Sequence, residues 1–168
     1  MNKSWIANGF TAANALFGGL SIMMSISGEY HVAAICILIA MAADAFDGRV
    51  ARALGTAGPM GVELDSLSDD ISFGVAAGAL MYSYQLRELG AFGFIPCALL
   101  GAFCAFRLAR FNVKVTSVHG YFEGLPCPTV GVIIACYVLS GVKIWNWLAM
   151  VYVLVLAVLM VNEVHYPD

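Results

Sequence analysis

The chain has 168 residues, of which 61% are apolar and only 11% are charged. A soluble domain is about half apolar and about one quarter charged, so this composition is typical of a membrane protein. The net charge of −3 gives no basic footprint, and no nucleic acid is expected as a partner. The five cysteines form no C-x-x-C pair, and we expect them to be reduced packing residues.

Six apolar stretches are long enough, or nearly so, to cross a bilayer as helices, which takes about 20 residues each. They cover residues 10–27, 32–54, 61–84, 90–112, 127–142 and 145–162. The pattern predicts an all-α integral membrane protein, a single domain over residues 1–168 built as a bundle of six transmembrane helices. Residues 1–9, which include Lys3 and Trp5, are expected to form a short interfacial segment before the first helix.

The distribution of cations predicts an orientation in the membrane. With the N-terminus inside, six of the eight Lys and Arg residues fall on the cytoplasmic side, and only Arg87 and Lys143 fall outside. Because positive charge is retained on the cytoplasmic side of membranes, both termini are expected in the cytoplasm. The end of helix two and the start of helix three then also face the cytoplasm.

Residues 44–70 contain six of the eleven acidic residues, in or beside sequence apolar enough to enter a membrane. Ionisable side chains within a membrane usually mark a functional site. Asp44 and Asp47 share one face of helix two by their spacing of three. Asp65 and Asp69, spaced by four, share one face of helix three. A short, turn-rich connection predicts that these two helices are antiparallel neighbours.

Depth along the two helices predicts that the four carboxylates meet. At about 1.5 Å per residue, Asp47 and Asp44 lie roughly 10 and 15 Å before the end of helix two. By the same rise, Asp65 and Asp69 lie roughly 6 and 12 Å after the start of helix three. Four carboxylates in one low-dielectric pocket require cations, and oxygen ligands favour Mg²⁺ or Mn²⁺, as a pair of ions.

Small residues and one cation accompany the aspartates. Gly48 and Gly61 lack side chains where a substrate would need close approach, and Arg52 supplies a fixed cation for a phosphate. The alternative interpretation is that the aspartates form an ion pathway, as in a divalent-cation transporter, or that they pair helices in a purely structural role. That alternative explains the acids but not the glycines and the arginine at matching helical steps.

These residues fit one long pattern, D-x-x-D-G-x-x-A-R, then eight residues, then G-x-x-x-D-x-x-x-D. The pattern is filled by Asp44, Asp47, Gly48, Ala51, Arg52, Gly61, Asp65 and Asp69. It resembles the signature of the CDP-alcohol phosphotransferases. The resemblance implies six membrane helices with a site open to the cytoplasm. It also implies transfer of a phosphatidyl-type group from a CDP-lipid to an alcohol, with release of CMP.

The resemblance further implies a role for each residue of the pattern. The metal ligands would be Asp44, Asp47, Asp65 and Asp69. The catalytic carboxylates would be Asp65 and Asp69, with Asp69 as the general base. The nucleotide and its lipid would contact Asp44, Gly48, Ala51, Arg52 and Gly61.

Helix one carries a polar face of its own. Asn8, Thr11 and Asn14 recur every three residues along it. Related enzymes use this region near the nucleotide, so the resemblance implies contacts of Asn8 and Thr11 with cytidine or ribose. Polar contacts between helices are the alternative explanation.

Other segments resemble, within this family, the membrane-bound phosphatidylserine synthases of bacteria and archaea. They are RLARFN at 107–112, FEGLPCP at 122–128, and LMV at 159–161 followed by Tyr166 and Pro167. This resemblance implies CDP-diacylglycerol or CDP-archaeol as donor and L-serine as acceptor. Glycerol 3-phosphate or an inositol phosphate is the alternative acceptor, although it would call for a more basic pocket.

The serine carboxylate needs a recognition site, and guanidinium groups suit planar carboxylates. Arg107, Arg110 and Asn112, near the cytoplasmic end of helix four, are the candidates. The ordinary alternative for the two arginines is that they set the topology of a helix end.

Helix three also carries a stripe of residues at four-residue steps, namely Ser66, Asp70, Gly74 and Gly78. Small residues let membrane helices approach closely, either within the bundle or across a dimer seam, and a homodimer is expected. Asp70 departs from the family pattern, in which an apolar or small residue is expected. This departure leaves open whether Asp70 joins the site or only faces the stripe.

Overall fold

The computed structural model describes residues 4–55, 58–115 and 125–162, and these residues form helices and turns without a strand. The α-helices are α1 (Ser4–Ile26), α2 (Tyr30–Leu54), α3 (Pro59–Asp69), α4 (Ala76–Tyr84), α5 (Ala91–Val115), α6 (Cys127–Leu139) and α7 (Asn146–Val161). A π-helical turn, Asp70–Val75, joins α3 to α4, so the predicted third helix is one continuous rod. A 3₁₀ turn, Leu86–Leu89, precedes α5. The all-α prediction is confirmed.

Three helical segments are long and apolar enough to cross a membrane, namely Asn8–Ile26, Tyr30–Val50 and Ala91–Val113. Helices α6 and α7 are also apolar but have only 13 and 16 residues. Large apolar side chains lie exposed on the outside of the bundle, among them Leu16, Met23 and Phe106. An exterior of this kind suits lipid rather than water, which indicates a membrane protein.

The start of the first helix differs from the prediction. Helix α1 begins at Ser4 rather than at residue 10, so residues 4–9 belong to it. Residues 4–9 contain no proline, and in an apolar medium a continuous helix satisfies backbone groups that a break would expose. The helix therefore starts earlier than expected, whereas the interfacial position of these residues stays a prediction, and Lys3 lies outside the described residues.

The π turn lies at the centre of the bundle, in contact with α1, α5 and α6. Its Phe73 is fully buried, and a Cβ at Gly131 of α6 would lie only 2.7 Å from the ring atom Cδ1. Likewise, a Cβ at Gly18 of α1 would lie 2.9 Å from the Cα of Ser72. Glycine at these two positions lets both helices approach the π turn. Because the turn directly follows Asp69, this packing fixes the end of α3.

The small-residue stripe of helix three packs inside the chain. All four of its members contact α5. Ser66 contacts Asn112, Asp70 and Gly74 both contact Cys104, and Gly78 contacts Cys97. A Cβ at Gly74 would lie 2.9 Å from the Cβ of Cys104, so α5 leaves no room there for a larger side chain. The interpretation as packing within the bundle is confirmed, and the interpretation of this stripe as a dimer seam is wrong.

The thiols also behave as expected. All five cysteines are free, and Cys36, Cys97, Cys104 and Cys127 are buried, whereas Cys136 is exposed. The prediction of reduced packing residues is therefore confirmed for these four, since buried thiols act as small hydrophobes.

Candidate active site

The predicted carboxylates converge between α2 and α3. Asp44, Asp47 and Asp65 each place a carboxylate oxygen within 4.8 Å of the others. Asp44 also makes side-chain contacts with Asp65 and Asp69, which brings the fourth carboxylate to the same place. These four residues are called the acidic cluster below. The convergence that helical spacing and depth predicted is present in the structure.

Burial makes the acidic cluster a candidate cation site. Asp47 and Asp69 are only 5% and 7% exposed, and Asp44 and Asp65 are half-buried. Within the described chain, Asp47 Oδ2 and Asp65 Oδ1 are buried and have no hydrogen-bond partner. Carboxylates taken out of water require compensating charge. Hard oxygen donors this close together fit a divalent cation such as Mg²⁺ or Mn²⁺.

Helix α1 lies behind the acidic cluster and contacts both α2 and α3. Asn14 is fully buried, and its Nδ2 donates a hydrogen bond to Asp69 Oδ1 at 3.0 Å. The carbonyl of Asn14 accepts a hydrogen bond from Ser72 Oγ at 2.9 Å. Thr11, also buried, contacts Asp47 through its side chain. The polar face of α1 therefore holds two of the carboxylates in place.

Asn14 and Thr11 both make polar contacts between helices, as the alternative explanation of this face expects, and the proposed nucleotide contact of Thr11 stays a prediction. Sequence reasoning did not find Asn14 as the partner of Asp69. The signal available in the sequence was Asn14 itself, a polar residue three positions after Thr11 in a mostly apolar helix. Asn8 is half-buried, and its proposed nucleotide contact stays a prediction.

The glycines of the motif border the acidic cluster. Gly61 is half-buried, and no atom of the described chain lies within 4 Å of the place a Cβ would take. Packing among the described residues therefore does not require glycine at this position. Gly48 is half-buried and follows Asp47 directly on α2. The side chains of Ala51 and Arg52 lie outside the part of the structure that is described.

The candidate serine-binding residues lie on α5 and face different partners. Arg107 is half-buried, its Nη1 lies 3.7 Å from Cys127 Sγ, and its Nε is buried without a hydrogen-bond partner in the described chain. Arg110 is exposed and donates to the carbonyl of Val161 at 3.4 Å. Asn112 Nδ2 donates to Ser66 Oγ at 3.0 Å, next to Asp65 on α3. Asn112 thus connects α5 to α3.

Asp70 faces α5 through its contact with Cys104. A Cβ at Gly74 would meet the Asp70 carboxylate, which places this side chain on the stripe. The question left open by the sequence is answered in favour of the stripe.

Comparison with known proteins identifies the family of this chain. The family model described as CDP-alcohol phosphatidyltransferase matches residues 4–160. This chain belongs to the CDP-alcohol phosphatidyltransferase family.

Named relatives cover most of the chain. A CDP-diacylglycerol–serine O-phosphatidyltransferase of Helicobacter pylori is 35% identical over 168 residues, which is 96% of this chain and 71% of the relative. A Bacillus subtilis protein of the same name is 35% identical, covering 94% of this chain and 86% of the relative. An archaetidylserine synthase of Methanothermobacter thermautotrophicus is 37% identical, covering 92% and 66%.

Proposed function

We propose that this chain is a CDP-diacylglycerol–serine O-phosphatidyltransferase, which moves a phosphatidyl group to the hydroxyl of L-serine and releases CMP. The observation that carries the proposal is the convergence of four aspartates of the family motif at one buried place. Relatives named for serine transfer over nearly the whole chain support the choice of acceptor.

The acidic cluster would hold the metal. Asp44, Asp47 and Asp65 offer oxygens close enough to share one divalent cation, and Asp69 adjoins them through Asp44. We infer Mg²⁺ or Mn²⁺, as two ions, from the number and hardness of the ligands. When bound, such ions supply positive charge that neutralises the pyrophosphate and the leaving CMP.

Asp69 is the proposed general base, and Asp65 beside it completes the catalytic pair. The serine hydroxyl loses its proton to Asp69, and its oxygen forms a bond to the lipid-side phosphorus. The bond from that phosphorus to the bridging oxygen of CMP breaks, and CMP leaves with the electron pair. Asn14 orients Asp69 for this step through its hydrogen bond at 3.0 Å.

Substrate contacts follow the motif and α5. Serine is held by Arg107, Arg110 and Asn112. The CDP-lipid is held by Asn8, Thr11, Asp44, Gly48, Ala51, Arg52 and Gly61. Among the candidate serine-binding residues, Arg107 has the best support. Its Nε is buried and has no hydrogen-bond partner among the described residues, which suits an incoming carboxylate.

The proposed topology has six transmembrane helices, with both termini and the acidic cluster on the cytoplasmic side. The continuous rod of α3, the π turn and α4 counts as one span, and α6 and α7 are the short ones. The bias of cations supports this orientation. A reporter enzyme that is active only in the periplasm should be active when fused after residue 88. The same reporter should be inactive when fused after residue 58.

A homodimer remains part of the proposal, although the helix-three stripe does not form its interface. Lipid-exposed apolar surface on the outer helices is available for it. Mass photometry in nanodiscs should give twice the mass of one chain, and a monomer mass would contradict the dimer.

An acceptor panel tests the proposed reaction. Purified protein with CDP-diacylglycerol or CDP-archaeol is offered L-serine, glycerol 3-phosphate or an inositol phosphate, and the lipid product is identified by mass spectrometry. The serine lipid is expected. Product only with a phosphorylated alcohol would overturn the choice of acceptor. Metal uptake into proteoliposomes without CDP-lipid turnover would instead support a transporter.

A further inference from the structure

A cavity of about 460 Å³, lined by residues with polar or charged side chains, lies at the other end of the bundle from the acidic cluster. It lies between the start of α2, the end of α4 and the residues before α7, and it includes Tyr30 and Tyr84. Tyr30 precedes Asp44 by 14 positions along α2, so roughly 20 Å separates the two sites along the bundle. The catalytic proposal makes no use of this cavity.

The lining of the cavity carries excess positive charge. Arg87 and Lys143 both line it, whereas Glu88 is the one acid among the lining residues. Glu88 is already engaged, since it accepts a hydrogen bond from Asn146 Nδ2 at 2.8 Å. By the cation count of the sequence, Arg87 and Lys143 are the two cations that depart from the positive-inside bias. A shared ligand of these two cations would explain why they lie on the side of the membrane that usually has few.

The frame of the cavity is built from buried polar contacts. Gln85 is only 5% exposed, and its Nε2 donates to the carbonyl of Ile144 and, at 3.3 Å, to Asn146 Oδ1. Its Oε1 accepts a hydrogen bond from the hydroxyl of Tyr137. One buried amide therefore ties the turn after α4 to α6 and to the start of α7. Such a frame keeps Arg87, two residues after Gln85, close to Lys143.

The surroundings indicate a membrane interface. Tyr30 and Tyr137 stack edge-on against Tyr84 at centroid distances of 5.6 and 6.2 Å. Trp145 and Trp147 are exposed nearby, just before and within the start of α7. Amphipathic aromatic rings of this kind collect at the level of lipid headgroups. A ligand at this depth is therefore most readily supplied by the bilayer.

We propose that this cavity binds the phosphate group of an anionic phospholipid, with Arg87 and Lys143 as its ligands. The ammonium of Lys143 lies 4.8 Å from the centroid of the Tyr84 ring, so that ring face is already covered by a cation. Phosphatidylcholine carries the same phosphate, but its choline would add a third positive charge beside Arg87 and Lys143 and would find the Tyr84 ring face occupied, whereas an anionic headgroup adds no positive charge. The site is independent of the proposed catalytic reaction.

Native mass spectrometry of the delipidated full chain tests the proposal with phosphatidylglycerol, phosphatidylcholine and inorganic phosphate as probes. Wild type should bind one phosphatidylglycerol about tenfold more tightly than phosphatidylcholine, and Arg87→Gln with Lys143→Gln should abolish that preference. Glu88→Gln, which keeps an acceptor for Asn146 and removes the negative charge, should strengthen phosphatidylglycerol binding. Arg49→Gln, an exposed cation on α2, is the matched control and should change nothing.

Three results would overturn the proposal. The first is equal affinity of wild type for the two lipids. The second is an unchanged preference in the double variant. The third is displacement of the lipid by millimolar inorganic phosphate together with direct phosphate binding of wild type, which would make the cavity a site for a soluble anion.

Discussion

Asn14 on α1 donates a hydrogen bond to Asp69 on α3 across 3.0 Å, although 55 positions separate them in the chain. Both side chains are buried, so the amide limits the orientations that the carboxylate can adopt. Ser72, three positions after Asp69, binds the carbonyl of Asn14. Helix α1 is therefore fixed to α3 and to the π turn at the proposed catalytic base.

Asn14→Leu should lower the rate of CMP release by about 10- to 100-fold, as expected when a supporting contact of a metal-site carboxylate is lost. The measurement is turnover of purified protein at saturating serine and CDP-lipid. Ser21→Ala, farther along α1, is the matched control, since the buried Ser21 Oγ has no hydrogen-bond partner in the described chain. Equal activity of Asn14→Leu and Ser21→Ala would contradict a positioning role for Asn14.

Asp65→Asn and Asp69→Asn should each lower turnover by at least about 100-fold, because each removes a carboxylate proposed to act in catalysis. Asp70→Asn should retain most of the activity, since Asp70 contacts Cys104 on α5. The comparison of adjacent aspartates controls for general damage to the helix. Wild-type-like rates in either of the first two variants would refute the assigned roles.

Metal binding should be visible without turnover. Mg²⁺ or Mn²⁺ at about 100 times its Kd should stabilise the folded protein by roughly 2–3 kcal/mol and raise its Tm in detergent. Asp65→Asn should show a much smaller increase, because Asp65 is one of three carboxylates within 4.8 Å. An equal rise in Tm in wild type and variant would place the metal elsewhere.

Gly61→Ala should fold normally, because no described atom lies within 4 Å of the added Cβ. Its KM for CDP-lipid should rise about tenfold if the methyl group occupies substrate space. Gly131→Ala should behave in the opposite way and lower stability by about 1–3 kcal/mol through overpacking against Phe73. Thermal unfolding and steady-state kinetics separate the two effects. An unchanged KM in Gly61→Ala would remove Gly61 from the nucleotide pocket.

Arg107→Gln should raise the KM for serine about tenfold or more and leave the KM for CDP-lipid unchanged. Arg110→Gln should have a smaller effect, because Arg110 is exposed and already donates to the carbonyl of Val161. Kinetics with each substrate varied in turn provide the test. A change confined to the CDP-lipid KM would move Arg107 to the donor site.

Helical periodicity was sufficient to predict the acidic cluster. A spacing of three places Asp44 and Asp47 on one face of their helix, and a spacing of four does the same for Asp65 and Asp69. The rise per residue predicts that the two pairs lie at a similar depth. The same periodicity found the stripe containing Gly74. It did not identify the partner of that stripe, since two helices of a bundle and two copies of a chain need the same small residues.

The π turn and the Asn14–Asp69 contact could not be predicted in this way. Residues Asp70–Val75 contain no proline, and Gly74 by itself does not specify an extra residue per turn. The close approach of Gly18 and Gly131 accompanies the turn. The contact depends on how α1 crosses α3, which is a property of packing rather than of local sequence. The cavity at Arg87 and Lys143 likewise required the three-dimensional arrangement of three separate segments.

The central claim is tested most directly by CMP release from the purified protein with CDP-diacylglycerol and Mg²⁺ or Mn²⁺, measured with and without L-serine. We expect release that depends on serine and stops when a chelator removes the metal. Release that is indifferent to serine, or none with either metal from protein shown to be folded, would contradict the assignment as a serine phosphatidyltransferase.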